Sequence, residues 1–254
     1  MGVSGAGEHL TKDFFEDIKE RFIAHLRNEG ISLNEVAEVI SSRPLTPEEA
    51  IGRPERTDFP LFKGKEVMIE ARFRGCRGQA FTDMPCSFSA TLEEILLLPL
   101  DRNDNRAIFV ASLNAVMRHL NLIEKTIHCR DEEPRLCAGQ LVEYVHKRFG
   151  NPRIAFIGLQ PAMVSALAEH FPIRVTDLDQ DNVGRVKCGV KIEDVNATRE
   201  IIDWSDIVLA TGTTAVNGTL PSIVCDEKPV IFYGVTISGI AKIAGMEQFC
   251  ACGH

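Results

Sequence analysis

Hydrophobic positions along the chain keep a helical rhythm first, a strand rhythm next, and then alternate between the two. Phe14, Phe15, Ile18, Phe22, Ile23 and Leu26 recur at the three- and four-residue spacing of one helical face. Thr11 stands before this run and Gly30 after it, so a helix is expected from Thr11 to near Gly30. Thr46-Pro47-Glu48-Glu49 has the cap, the first-position proline and the returning acid of a capping box. From Glu66 to Arg74 the period drops to two. Val67, Ile69, Ala71 and Phe73 alternate with Glu66, Glu70, Arg72 and Arg74, which predicts a half-buried strand. Gly75-Cys76-Arg77-Gly78 turns it into an antiparallel return over 79–82. Thr91 caps a helix to Leu98, and helices follow over 105–120, apolar on nearly all sides, and 136–149.

Beyond Gly150-Asn151-Pro152 the pattern changes again. Arg153 to Asp181 reads as strand, tight turn, helix and second strand, with an acidic cluster at the end of that strand. A helix near 195–204, a strand at 207–210 and a strand at 230–233 continue the alternation, and a glycine-punctuated segment completes the chain. Alternation of this kind builds a mostly parallel sheet with right-handed crossovers. The expected fold class is α/β: an N-terminal α+β domain over 1–150 and a mostly parallel domain over 151–254, hinged at Gly150 for closure.

That second half places the candidate chemistry. In nucleotide-binding α/β units the first strand ends in a turn whose helix N-terminus faces a ligand, and an acid about 20 residues on holds a ribose hydroxyl. Gly158 and Asp177 stand in that relation, with Gln160 in the turn and Asp179 beside the acid. The turn Gly158-Leu159-Gln160-Pro161-Ala162 lacks the three glycines that admit a pyrophosphate, which disfavours NAD. Its free N–H groups are expected to attract an anion, and a solvated strand-to-helix corner is the alternative. After the strand at 207–210 comes a loop holding Thr211, Gly212, Thr213, Thr214 and Asn217, with donors for an anion or a polar ring edge. The plainer reading is that these residues cap the next helix. Gln79, Thr82 and Asp83 cluster on the expected hairpin of the first half, and Asn114, inside an apolar helix, is expected to bond a neighbouring loop.

A net charge of −8 argues against nucleic acid and anionic lipid as partners. No apolar run is long enough to span a membrane. Eight cysteines are too few for a disulfide scaffold, and no basic-then-apolar leader opens the sequence, so a reducing cytoplasm is expected. Cys129 and Cys137 in one segment and Cys250 and Cys252 in another, with His128 and His254 nearby, form a candidate metal set if the segments converge. Ordinary buried thiols are the alternative. No Ser-His-Asp order, P-loop or zinc-protease helix is present, so no nucleophile or general base is named.

Gly-Lys-Glu at 64–66, Gly-Gln-Ala-Phe-Thr-Asp at 78–83, Arg106-Ala107 leading to Asn114-Ala115, and Thr211-Gly-Thr-Thr with Asn217 and Thr219 give most of the chain a resemblance to the domain of unknown function 364 family. The family is described as a heavy-metal chelation family. The resemblance implies an enolase N-terminal-like domain followed by a Rossmann-like three-layer domain. It also implies a site between them, comparable to that of methyltransferases. Gly158, Thr211 to Thr214 and Asn217 carry over as crevice residues, with Gln79, Thr82 and Asp83 from the first domain.

Two functions are therefore expected. One is an enzyme of metal or metallocofactor metabolism that binds a nucleotide-like or pterin-like molecule between its domains, with S-adenosylmethionine as a specific variant. The other is a non-catalytic metal chaperone or sensor using the cysteines. A homo-oligomer is compatible with either.

Overall fold

In the computed structural model, residues 4–39, 45–224 and 227–254 are described. The first helix, α1 (Ser4–Asn28), begins well before Thr11. Thr11 is therefore interior to the helix rather than its cap, and its hydroxyl donates to the carbonyl of Gly218 at 3.0 Å. Strand β1 (Val36–Val39) and helix α2 (Pro47–Ile51) follow, and α2 carries the full capping box of Thr46 and Glu49. Strands β2 (Val67–Phe73), β3 (Cys76–Thr82) and β4 (Phe88–Thr91) complete an antiparallel four-stranded sheet of order β3-β2-β1-β4. The β2–β3 turn is Arg74-Gly75, both left-handed at φ 47 and 83, as a two-residue hairpin requires. It is tighter than the expected turn, so Cys76, Arg77 and Gly78 lie within β3. Thr91 and Glu94 form the capping box of α3 (Leu92–Leu97), and α4 (Asn103–His119) follows.

Helix α5 (Glu133–Phe149) leads into a seven-stranded sheet of order β11-β10-β9-β5-β6-β8-β7. In chain order come β5 (Ile154–Ile157), α6 (Pro161–Ala168), β6 (Ile173–Asp177), β7 (Val186–Lys187), β8 (Val190–Asp194), α7 (Thr198–Trp204) and β9 (Ile207–Thr211). The chain continues through α8 (Thr214–Asn217), α9 (Leu220–Ile223), β10 (Val230–Tyr233), α10 (Ser238–Ala244) and β11 (Glu247–Phe249). All pairings in this sheet are parallel except β7 with β8 at one edge. The expected mixed α/β fold with a mostly parallel sheet is observed. Among the described residues no helix is long and apolar enough to cross a membrane.

Two buried cores lie on opposite faces of this sheet. Leu141 and Val145 of α5 join Val164 of α6 against Phe156 and Leu209. On the other face Ala155, Val208, Ala210 and Phe232 share one core with Phe15, Phe22, Phe109, Leu113, Ile201 and Ile240. Strand β2 feeds both. Ile69, Ala71 and Phe73 enter the second core and Met68 the first, so the strand is covered on both sides from Met68 to Ala71, while Arg72 stays exposed. Glu70, read as solvent-facing, is likewise buried, held by Gln79 Nε2 at 3.0 Å and Arg72 Nε at 3.2 Å.

The packing does not divide at 150. Helix α5 sits on the C-terminal sheet, while α1 and α4 of the first half share a core with β5 and β9. Asn114 on α4, fully buried, places its Nδ2 against the carbonyls of Gln79, Thr236 and Val235 at 3.1, 3.1 and 3.2 Å, and its Oδ1 accepts from Gly239 N–H at 2.8 Å. Gly150 ends α5 at φ 73, with its N–H on the carbonyl of His146. Its left-handed backbone serves helix termination.

Candidate ligand cavity

Strands β5 and β9 are neighbours, yet the chain leaves them on opposite sides, to β6 from one and to β10 from the other. Open α/β sheets bind ligands beyond the carboxyl ends of such a pair. Here those ends are Gly158 and the Thr211 loop. Gly158 takes φ 87, and a Cβ on it would lie 2.6 Å from Thr211 Cγ2, so glycine lets the two loops approach. Substitution Gly158→Ala is expected to cost about 2 kcal/mol in urea denaturation, through the strained φ and the contact with Thr211.

A cavity of about 390 Å³ opens there, within the usual size of a small-molecule site. The C-terminal half contributes Gly158, Gln160, Asp177 and Asp179, and the loop contributes Thr211, Gly212, Thr213, Thr214 and Asn217. Thr82 and Asp83 reach it from the first half. Gln79 does not. Its Nε2 donates to Glu70 and its Oε1 accepts the His128 N–H at 2.8 Å, so both ends of the amide brace the loop beneath the cavity.

Hydrogen bonding changes the roles of several of these residues. Asp177 Oδ2 accepts from Leu159 N–H at 2.7 Å, and Oδ1 accepts from Asp179 N–H at 2.8 Å and Asn182 Nδ2 at 3.0 Å. The acid braces the turn before it meets any ligand. Gln160 Oε1 takes the Met163 N–H at 2.5 Å, capping α6. The N–H groups of Leu159 and Met163, expected to hold an anion, are thus already engaged. In the threonine loop Thr211 and Thr213 hydroxyls pair at 3.0 Å, and Thr214 Oγ1 donates to the Thr211 carbonyl at 2.7 Å. Asn217 Oδ1 accepts from Thr219 Oγ1 at 2.7 Å. These residues both line the cavity and hold their own loop.

The field of the cavity is negative. Glu66, Asp83, Asp177 and Asp179 line it, and Lys65 at its rim is tied to Asp181 at 2.7 Å and Asp179 at 3.4 Å. Burial, with the charges of Asp177 and Asp83 nearby, pushes the Glu66 carboxyl up to about 7. Sequence reading missed Glu66 because it begins an alternating strand whose polar face passes for solvated. It also missed Tyr233, a polar-tipped aromatic at the end of an apolar strand. Tyr233 stacks on Phe156 with ring centroids 5.0 Å apart, and its hydroxyl donates to the Gly158 carbonyl at 2.7 Å. Phe59, Leu61, Phe81, Leu159 and Met163 supply the apolar wall.

Three of the candidate metal cysteines, Cys129, Cys137 and Cys250, also reach the cavity wall. Main-chain pairing draws their segments together. Thr126 and Ile127 N–H groups donate to the His254 carbonyl at 2.9 and 2.8 Å, and His254 N–H returns to Ile127 at 2.9 Å. The charges of Cys137, Cys250 and Cys252 are near enough to Cys129 to add to the effect of its burial. Burial pushes the Cys129 thiol far up and Cys250 up to about 12. His128 Nδ1 lies 2.7 Å from the Cys129 carbonyl, and His254 Nε2 lies 3.0 Å from Glu133. Among the described residues no three or more His, Cys, Asp or Glu side chains are grouped to hold a metal ion.

Residues 140–245 match the model of the DUF364 family, whose description reads "Putative heavy-metal chelation". Among solved structures, a DUF364 protein of unknown function from Pyrococcus horikoshii is similar at 17% identity, covering 89% of this chain and 79% of that one, with a TM-score of 0.51. A DUF364 protein of unknown function from Desulfitobacterium hafniense DCB-2 is similar at 14% identity over 70% of this chain and 73% of that one, with a TM-score of 0.48. At these identities the first likeness speaks for the fold alone. No curated protein matches the chain. The resemblance to the DUF364 family drawn from the sequence is thus matched by the family model over residues 140–245.

Proposed function

We propose that the protein binds a small organic molecule between its two halves, and that the molecule turns a nitrogen-rich donor edge toward Glu66, Asp83 and Asp177. The observation that carries this reading is a cavity with acids from both halves on its wall beside an apolar surface. A carboxylate accepts two parallel N–H bonds from an amidine-like edge, such as that of a pterin or a related heterocycle. Phe81, Leu159 and Met163 offer apolar surface for a planar ring. The same field repels a phosphate, so a nucleotide-like ligand enters by its base or ribose, with Asp179 the acid for a diol. S-adenosylmethionine, with a sulfonium cation and a ribose, suits that field too. Glu66, near half-protonation at neutral pH, is equipped to give or take a proton, which suits the site to catalysis. The heavy-metal chelation description of the matched family supports a setting in metal or metallocofactor metabolism.

Calorimetric titration at pH 7 with pterin, adenosine and S-adenosylmethionine tests this. Binding of at least one is expected, weakened about 10- to 100-fold in a Glu66→Gln, Asp83→Asn double variant, as for loss of charge-assisted bonds. Binding of none, or equal binding by the variant, would overturn it.

A further inference from the structure

We infer that His128 forms the second polar end of the cavity wall, an acceptor through Nε2 that selects a two-ring heterocycle with N–H groups on both edges, the class of a reduced pterin over an oxidised one. This role rests on the reading above, in which Glu66, Asp83 and Asp177 take one edge of the ligand, and it supplies the group that takes the other.

His128 stands in the loop between α4 and α5 and is part of the cavity lining. Hydrogen bonds seat that loop along β3. Gln79 N–H donates to the Thr126 carbonyl at 3.0 Å, Thr126 Oγ1 to the Arg77 carbonyl at 2.7 Å, and His128 N–H to Gln79 Oε1 at 2.8 Å. Gln79 and Phe81, two residues apart, share a face of the strand, and Asp83 follows its end. The wall therefore runs from His128, seated on Gln79, past Phe81 to Asp83. The Phe81 and His128 rings meet edge to face, with centroids 5.2 Å apart and planes at 87°. A flat ligand resting on Phe81 has carboxylates at one end and the imidazole at the other.

The imidazole's own bonds decide what it offers. Nδ1 lies 2.7 Å from the Cys129 carbonyl, and a carbonyl oxygen only accepts, so Nδ1 carries the proton. Burial holds the group below the ordinary histidine range, against the opposing pull of the Cys129 carbonyl and Glu133, and the ring is neutral at pH 7. Its Nε2 is then a bare lone pair. Cys129 Sγ, at 3.8 Å, also lies by Nδ1, and among the described residues Nε2 has no partner. A ligand that covers this acceptor without supplying an N–H loses affinity, because the lone pair gives up water and gains nothing. Oxidised pterin presents two acceptor nitrogens on the edge of its second ring. In tetrahydropterin both carry hydrogen, so the oxidised form sets lone pair against lone pair and the reduced form brings the donor.

Anaerobic calorimetric titration of the full chain at pH 7 with pterin and with tetrahydropterin tests the selection. Tetrahydropterin is expected to bind roughly 10-fold tighter or more. His128→Phe should keep a ring against Phe81 and abolish that ratio, while His128→Gln, with an amide oxygen as acceptor, should restore part of it. A ratio between two such similar ligands is insensitive to a general loosening of the loop. Nitrogen-15 NMR of the histidine-labelled wild type should show His128 as the Nδ1–H tautomer, with its Nε2 resonance moving on addition of tetrahydropterin, which keeps the test valid if a variant fails to fold. Equal affinity of the wild type for the two pterins, an unchanged ratio in a folded His128→Phe, or an Nε2–H tautomer would overturn the role of His128 and leave the acidic edge standing. Binding of neither pterin would overturn that role together with the pterin reading of the cavity.

Discussion

Glu66→Gln is expected to stabilise the ligand-free protein by up to about 3 kcal/mol at pH 8 and to leave it unchanged at pH 4. Burial and the neighbouring Asp177 and Asp83 raise this carboxyl from 4.5 to about 7 in the folded protein. Between those values the folded chain keeps a proton that the unfolded chain has released. Stability then falls as pH rises through the window, since the state binding more protons loses ground. Below the window both states are protonated and the penalty is absent; above it the penalty is complete. Glutamine keeps the shape without the charge. Urea denaturation of both proteins from pH 4 to pH 8 reads the difference, in which the other acids cancel. A difference independent of pH would show that Glu66 does not feel its neighbours. The penalty also has a use, because a donor-rich or cationic ligand edge relieves it, and affinity for such a ligand should rise over the same pH window.

Asn114→Ala should lower stability by about 3 kcal/mol, and the melting temperature by roughly 10 °C. The side chain is fully buried and bridges α4, β3 and the segment at 235–239. Truncation removes the acceptor of the Gly239 N–H and the donor shared by three carbonyls, and leaves these groups in a core without water. Such orphaned groups cost more than the bonds contribute when made. Val235 and Thr236 also line the cavity, so the same substitution should weaken ligand binding without touching the ligand. Differential scanning calorimetry decides the first point; a loss below about 1 kcal/mol would mean the bridge is dispensable.

The legible parts of this fold are those whose signals are local. Both capping boxes, the β2–β3 hairpin and the β5–α6–β6 unit each depend on residues within a few positions of one another. Strands β1 and β4 are four residues long and exist because each finds the other, with β1 also finding β2. No window of the chain contains that information. The β7–β8 hairpin turns at Cys188-Gly189, both at positive φ, a signal passed over in favour of the acidic cluster before it. In the cavity, Gly158 and the Thr211 loop were readable because parallel strands place chemistry at their ends. Gln79 was misplaced and Glu66 missed for one reason: a period-two pattern separates two faces but does not say that both are covered. The approach of the 250–254 segment to the loop before α5 rests on backbone pairing of His254 with Thr126 and Ile127, which spacing cannot express.

The seating of α1 has a consequence for how the chain acquires its shape. The first helix lies on α9 and α10, with Thr11 bonded to Gly218 and Arg21 to the carbonyl of Ile243. During synthesis its partners emerge some two hundred residues later, which at about 5–20 residues per second means roughly 10–40 s on the ribosome. Through that interval Phe15, Ile18, Phe22 and Leu26, all buried at the end, are covered only in part, by α4 through Phe109 once it has emerged. The nascent α1 is therefore a natural client for a chaperone that holds apolar helices, and its core closes only when α10 arrives.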